Sequence, residues 1–440
     1  MTKLLILTVV VLGILAVAQL ARVYELTSKL RGKREEDITP ADNRMNAMLM
    51  WLFPIAYFGF FLWLVLAYGD KMLPVAASTQ GADTDWLLAL NWWIIIPVFF
   101  ITNILLFYFA GKYVYDKNRK AHWQPHDNKL ELAWTIAPAI VLFVIIILGL
   151  TTWQRITSPA SPEAMRMELY AKQFDWTARY PGTDGMLGAT DFRLINGDNP
   201  LGIVTEKTID KRMAELVQER ADAVASLDQV LPDSKVAEIE HRIEYLDRMA
   251  ARIVNLRLVM QQDIKAKGEA STYLHGADDV VTKDFYLPAN RETDIVIRSR
   301  DIIHSAYIPH LRIQMNAVPG MTTSMKVVPT ITTDSMRTIP EVVRQVEEIN
   351  AIRLPQGKSE YVFDFLLLCN KICGASHYNM QMPLIVTSAG DFDAWLAEAN
   401  KKPFEAMPDT ASPAMTDTTN TSAGADSMAV AVADGQAPNP

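Results

Sequence analysis

Four uncharged apolar runs dominate the first 154 residues, at about 4–21, 46–69, 86–111 and 132–154. Each has at least about 18 residues, enough to cross roughly 30 Å of hydrocarbon as a helix. Pro54, Pro97 and Pro138 fall inside three of them, which membrane helices tolerate better than soluble ones. Four transmembrane helices are the expectation. The remainder of the chain is then too polar to be lipid-embedded and must fold in water.

Lysine and arginine set the direction. Arg22, Lys29, Arg31, Lys33, Arg34 and Arg44 lie between the first two runs, and Lys112, Lys117, Arg119, Lys120 and Lys129 between the last two, whereas the 70–85 connection has only Lys71. Cytoplasmic loops carry the excess of basic residues, so the two basic connections are read as cytoplasmic and everything after about residue 155 as external. Lys3, the apolar stretch and Ala16-Val17-Ala18 also suit a signal peptide. Cleavage would put the basic 22–45 segment outside, so an uncleaved helix is preferred. The formal net charge of −8 argues against nucleic acid as a partner.

After Arg155 the pattern becomes that of short strands: 167–170, 174–180, 285–287, 293–299, 324–328 and 361–368, separated by turn residues such as Pro181-Gly182 and Pro319-Gly320. An all-β sandwich or barrel is expected. Within it, at about 205–265, apolar residues recur at helical spacing: Met213, Val217, Val224, Leu227 and Leu231, then Val236, Ile239, Ile243, Leu246, Met249, Ile253, Leu256 and Met260. Pro232-Asp233-Ser234 divides them, and an inserted antiparallel helical hairpin is expected. Residues 403–440 are rich in Ala, Thr, Ser, Asp and Pro and read as a disordered acidic tail. The expected domains are the first two membrane helices over 1–70, a membrane helix pair over 86–154, an external β domain over 155–402, and the tail.

The densest chemistry lies between Cys369 and Met380. Cys369, Cys373, His377 and Met380 place two thiols, an imidazole and a thioether within twelve residues. Soft sulfur with imidazole suits copper; zinc competes for Cys and His but rarely takes methionine. The spacing fits neither a Cys-x-x-Cys redox pair nor a c-type haem attachment. His304 follows a β-like run, from which a sandwich can deliver a ligand to a loop. His275 and His310 have no ligand-spaced neighbours and are expected at the surface.

Cys-x3-Cys-x3-His-x2-Met with an upstream Asp301-x-x-His304-Ser305 resembles subunit II of the haem–copper cytochrome c oxidases. The resemblance covers about 90–154, 165–200 and 280–400. It implies a cupredoxin-like sandwich with a binuclear copper centre, CuA. Cys369 and Cys373 would bridge the coppers, His304 and His377 would each bind one, and Met380 and the main-chain carbonyl of Lys371 would be weak axial ligands. Haem and CuB would lie in the partner subunit I, with subunit III, a cytochrome c donor and the bilayer as further partners.

Further residues follow from the same resemblance. Glu131, three before Trp134, resembles the glutamate at the mouth of a proton-input channel. Gln173-Phe174-Asp175-Trp176 resembles the family's Gln-Trp-x-Trp, whose first tryptophan receives electrons; Phe174 stands at that position, and Phe174 with Trp176 is the candidate electron entry. Lys371 replaces a glutamate that helps bind magnesium at the subunit I boundary, Asn316 replaces a common aspartate, and Leu368 replaces a glutamine. The implied function is the electron-transfer subunit of a proton-pumping oxidase of the bacterial inner membrane. A copper-containing nitric oxide reductase component and a copper-free quinol oxidase subunit II are the alternatives, the second disfavoured by the full set of donors.

Overall fold

A computed structural model describes residues 2–30, 39–116, 118–120, 122–229 and 232–406. The chain divides into two units, Met1–Met72 with Leu90–Val141, and Leu73–Ala89 with Leu142–Pro440.

The first unit is helical. Helix α1 spans Thr2–Leu30, α2 Pro40–Tyr68, α3 Thr79–Lys112 and α4 Asn128–Thr157. Thr39 caps α2 by accepting from Asp42 N, and Pro40 begins it, where a missing N–H costs nothing. Aromatic side chains join α2 to α3: Phe58 and Phe100 lie 4.8 Å apart, and Trp51 meets Tyr108 edge-on at 5.6 Å. The approach requires a glycine at 111, since a Cβ there would lie 2.7 Å from Trp51 Nε1.

Among the described residues three helical stretches are long and apolar enough to cross a membrane: Pro40–Lys71, Thr79–Lys112 and Asn128–Thr157. The expected four therefore stand at three. Thr2–Leu30 is a continuous helix, but the side chains of residues 2–7, 9 and 10, where the first apolar run begins, are outside the described set. That helix also absorbs Arg22 and Lys29, which the sequence placed in a connection.

The second unit is a two-layer β structure. Its strands are β1 (Met165–Lys172), β2 (Asp175–Tyr180), β3 (Val280–Thr282), β4 (Phe285–Pro288), β5 (Thr293–Ser299), β6 (His304–Ile308), β7 (Ile313–Ala317), β8 (Thr323–Val327), β9 (Phe365–Cys369) and β10 (Gln381–Thr387). They form two five-stranded sheets, β3-β2-β1-β5-β8 and β4-β10-β9-β6-β7. Alternate residues point inward: Phe365, Leu367 and Cys369 of β9 and Met382, Leu384 and Val386 of β10 enter a shared core with Met167, Leu169, Trp176, Ile295 and Ile297. Residues 361–364, expected to begin a strand, precede β9, while β3, β6, β7 and β10 carried no sequence expectation.

Between β2 and β3 the chain leaves the sheet and returns to its starting point. Tyr180 pairs with Val280 and Ala178 with Thr282, so residues 181–279 form one excursion, longer than the expected helical segment. Helices α5 (Glu206–Ser226) and α6 (Asp233–Lys267) run antiparallel within it. Ile209, Leu216, Leu246, Ile253, Leu256 and Met260 close on Leu194 and Val204 in a separate core. Arg220 pairs with Asp247 and Arg242 with Glu219 along the outside. Leu201, Ile203 and Phe404 cover Tyr170 on the outer face of β1, which explains why both faces of that strand are buried. Phe404, at 8% exposure, thus belongs to the fold although the tail was expected from 403; residues 407–440 lie outside the described ones.

A charged cluster closes the root of the excursion. Arg179, 1% exposed, donates to Glu168 (2.9 Å), Asp279 (3.0 Å from Nε) and the Gly188 carbonyl (2.7 Å). Arg298 holds the other Glu168 oxygen. Two guanidinium groups face two carboxylates, so the cluster is neutral overall.

The connection from α2 into α3 is built into the β unit. Ser78 bridges to Pro329, Ala77 N donates to His310 O, and Arg312 holds Asp85 through two contacts of 2.9 Å and the Pro74 carbonyl at 2.5 Å. His310 packs edge-on against Phe363 and Phe365, and His275 bonds Asp184 at 2.6 Å with its side chain only 13% exposed. Neither is the surface residue expected from its lack of ligand-spaced neighbours, because their contacts come from distant segments. The remaining helices are α7 (Thr333–Met336), α8 (Pro340–Arg353) and α9 (Ala389–Ala399).

Candidate metal centre

Three neighbouring strands carry the cysteine and histidine positions to one sheet end. His304 is the first residue of β6, Cys369 the last of β9, and Gln381 of β10 follows Met380. The antiparallel register sets Ala306 against Cys369 and Leu368 against Gln381. Cys369 N donates to Met380 O (3.0 Å) and Asn370 N to Ser305 O (3.0 Å), which holds the ligand loop to the strand ends.

The side chains converge. His304, Cys369 and Cys373 present donor atoms within 4.8 Å of one another, and all three residues are buried. The two sulfur atoms lie 3.9 Å apart. Each has its own imidazole: His304 Nδ1 is 3.8 Å from Cys369 Sγ, and His377 Nδ1 is 3.6 Å from Cys373 Sγ. Each also has one weak donor, the Lys371 carbonyl at 3.3 Å from Cys369 and Met380 Sδ at 3.7 Å from Cys373. All six residues expected from the sequence thus meet at one place. The donor set is soft sulfur and imidazole, spaced beyond ordinary hydrogen-bond lengths and drawn to a common centre, and it fits a copper ion.

Electrostatics within the cluster are uneven. Burial opposes ionisation of Cys369, but hydrogen bonds from His304 first, then from the Lys371 and Ser305 backbone and from His377, together outweigh it and bring the thiol down to about 6. Burial and then the neighbouring Cys369 push Cys373 up to about 11. Ionisation of one cysteine therefore opposes that of the other. Asp301 Oδ1 lies 2.8 Å from His304 Nε2. That contact orients the ring and leaves Nδ1 facing sulfur.

Trp176 is buried with its ring centroid 6.2 Å from that of His304. Phe174 is 36% exposed and packs on Gly374, where a Cβ would lie 2.8 Å from its ring. The glycine has φ +136°, a conformation that side chains rarely adopt. Glu131 sits in the first turn of α4, 3.8 Å from His126; it is in the helical unit and not among the copper-site residues. Sequence reasoning missed Gln173, whose side chain donates to Cys373 O at 2.5 Å; its place beside Phe174 was the available clue.

Residues 67–151 match the family model described as cytochrome c oxidase subunit II, transmembrane domain. Over 324 residues the chain is 25% identical to the alternative cytochrome c oxidase subunit 2 of Bradyrhizobium diazoefficiens, covering 73% of this chain and 82% of that protein. It is 20% identical to cytochrome c oxidase subunit 2 of Cereibacter sphaeroides over 75% of this chain and 80% of that one. Over most of its length the chain is thus similar to cytochrome c oxidase subunit II proteins. That likeness supports an oxidoreductase subunit with transmembrane helices and a copper domain.

Proposed function

We propose that this subunit II holds a binuclear copper centre on a cupredoxin-like sandwich and passes electrons from a cytochrome c to haem in subunit I. The observation that carries the reading is the paired arrangement of the donors. Two sulfur atoms 3.9 Å apart each have a separate imidazole and a separate weak donor. One ion would use one imidazole well and leave the other idle; two ions sharing both thiolates use every group. When bound, such a pair supplies reversible one-electron chemistry spread over two metals.

The protein groups keep this pair in place and dry. Cys369, Cys373, His304, His377, Met380 and the Lys371 carbonyl would hold it. Phe174 offers the outer face for electron entry, with buried Trp176 packed against the His304 ring. Glu131, at the start of α4, is assigned to the mouth of a proton-input path beside subunit I. Lys371 brings no carboxylate to the boundary with that subunit.

The fold of the connection supports one side of the membrane for the copper domain. Leu73–Ala89, the end of the connection and the first turns of α3, is part of the β unit, so this connection and the copper domain share one side. The basic connections before α2 and after α3 then take the opposite, cytoplasmic side. The copper domain is external to a bacterial inner membrane, with subunits I and III as neighbours.

Loading the detergent-purified full-length chain with copper tests the centre. Two coppers per chain and a purple, electron-delocalised paramagnetic signal are expected. Saturation at one copper, or a localised single-copper signal, would refute the binuclear reading.

A further inference from the structure

We propose that Gln173 is a positioning residue that locks the two ligand-bearing segments of the metal centre together and raises its reduction potential. The proposal rests on the copper reading above and adds a role for a residue that supplies no ligand.

Gln173 and Phe174 form the two-residue turn between β1 and β2, where Lys172 pairs with Asp175. That turn belongs to one sheet; His304, Cys369 and Met380 sit at strand ends of the other. Gln173 reaches across in two directions. Its backbone N donates to Asp301 Oδ2 at 2.7 Å, and the other Asp301 oxygen meets His304 Nε2 at 2.8 Å. Its side-chain Nε2 donates to Cys373 O at 2.5 Å. One residue therefore joins the histidine of the β6 start to the cysteine of the β9–β10 loop.

The second contact acts on a peptide with little support of its own. Cys373 O precedes Gly374, whose φ of +136° leaves the backbone free to rotate once unpinned. The Phe174 ring covers the glycine but offers it no hydrogen bond. The amide of Gln173 both fixes this peptide and turns the positive end of an N–H dipole toward the metal loop. A positive end near a centre favours its reduced, less positive form, and outer hydrogen bonds tune metal sites in this way. Removing the donor lowers the reduction midpoint. Replacing it with a carboxylate lowers the midpoint further, by adding a negative charge.

Gln173→Met and Gln173→Glu test the role in the full-length chain, with the unaltered protein loaded alongside. Methionine keeps the length without donor or charge; glutamate keeps the shape without the donor. Both variants should bind two coppers with altered hyperfine splitting, and midpoints should fall in the order Gln, Met, Glu. Lost copper affinity with an unchanged apoprotein melting temperature would also support the lock. Splitting and midpoint equal to the unaltered chain in both variants would overturn it. So would copper loss accompanied by a lower apoprotein melting temperature, which would make Gln173 a residue of the fold. Failure of the unaltered chain to take two coppers counts against the copper reading; normal loading with indistinguishable variants counts against Gln173 alone.

Discussion

The metal centre and the root of the helical excursion are both buried clusters of polar side chains in the same β unit, and they are built in opposite ways. At the root, Arg179 meets Glu168, Asp279 and the Gly188 carbonyl at 2.7–3.0 Å, and positive and negative groups balance. At the metal centre, the recorded contacts among the donors run from 3.3 to 3.9 Å, sulfur dominates, and two thiols compete for one proton vacancy. The first cluster balances its own charges and leaves one oxygen, Asp279 Oδ1, without a hydrogen-bond partner. The second is a set of soft donors turned toward one another at separations longer than hydrogen bonds. Spacing and softness, more than burial, separate a site that binds from a site that braces.

Cys373→Ser should break the binding cluster outright. Serine oxygen is a poor bridge between soft metals, and copper titration should find the two-copper signal gone. Retention of that signal would remove Cys373 from the ligand set. Arg179→Met should break the bracing cluster by leaving two buried carboxylates without their shared partner. Losing one member of a buried ion pair costs about 3–5 kcal/mol. Denaturant unfolding of the purified chain measures that loss, and limited proteolysis should cut first within 181–279.

A finer comparison uses pH. Burial, opposed by Arg179, leaves the Asp279 carboxyl raised to about 6. A raised carboxyl favours folding when protonated, so its contribution is complete below about 3.8 and fades as pH rises through about 6. His310 works the other way: burial and then Arg312 push it down to about 4. Its neutral form supports the fold above about 6.5, and that support is lost as pH falls toward 4. The difference in melting temperature between Asp279→Asn and the unaltered chain should therefore change between pH 4 and 7, while His310→Gln should shift the acid limb in the opposite sense. A pH-independent difference for Asp279→Asn would place that carboxyl outside the titrating set. The smallest effect is expected for Met380→Leu, which removes one weak donor: two coppers remain and only the midpoint and spectrum move. Full copper loss would promote Met380 to a principal ligand.

These two clusters also differ in how readily the sequence discloses them. Cys369, Cys373, His377 and Met380 fall on one short loop, so their spacing alone announces a metal. His304 could be added because it follows the β-like run 293–299. Arg179 and Asp279 are a hundred residues apart, and in the sequence each is one charge among many; only the pairing of β2 with β3 unites them. The same distance hid the docking of Leu73–Ala89 against Arg312 and the reach of Gln173 to Cys373. Strands β6, β7 and β10 escaped because mixed polar and apolar residues such as His304–Ile308 give weak alternation. Three of the membrane helices were plain from length and polarity, which need no partner segment to read.

The pairing of Tyr180 with Val280 has a consequence for how such a chain changes over time. Adjacent strands stand about 5 Å apart, so to the sheet the whole excursion is equivalent to a hairpin turn. Loop-closure entropy grows slowly, by roughly 0.6 kcal/mol for each doubling of length. A lineage can therefore graft, lengthen or discard material at this point while the strand register on either side stays as it was. The copper-bearing end of the sandwich inherits none of that variation, because its three strands close through β6, β9 and β10 in the other sheet.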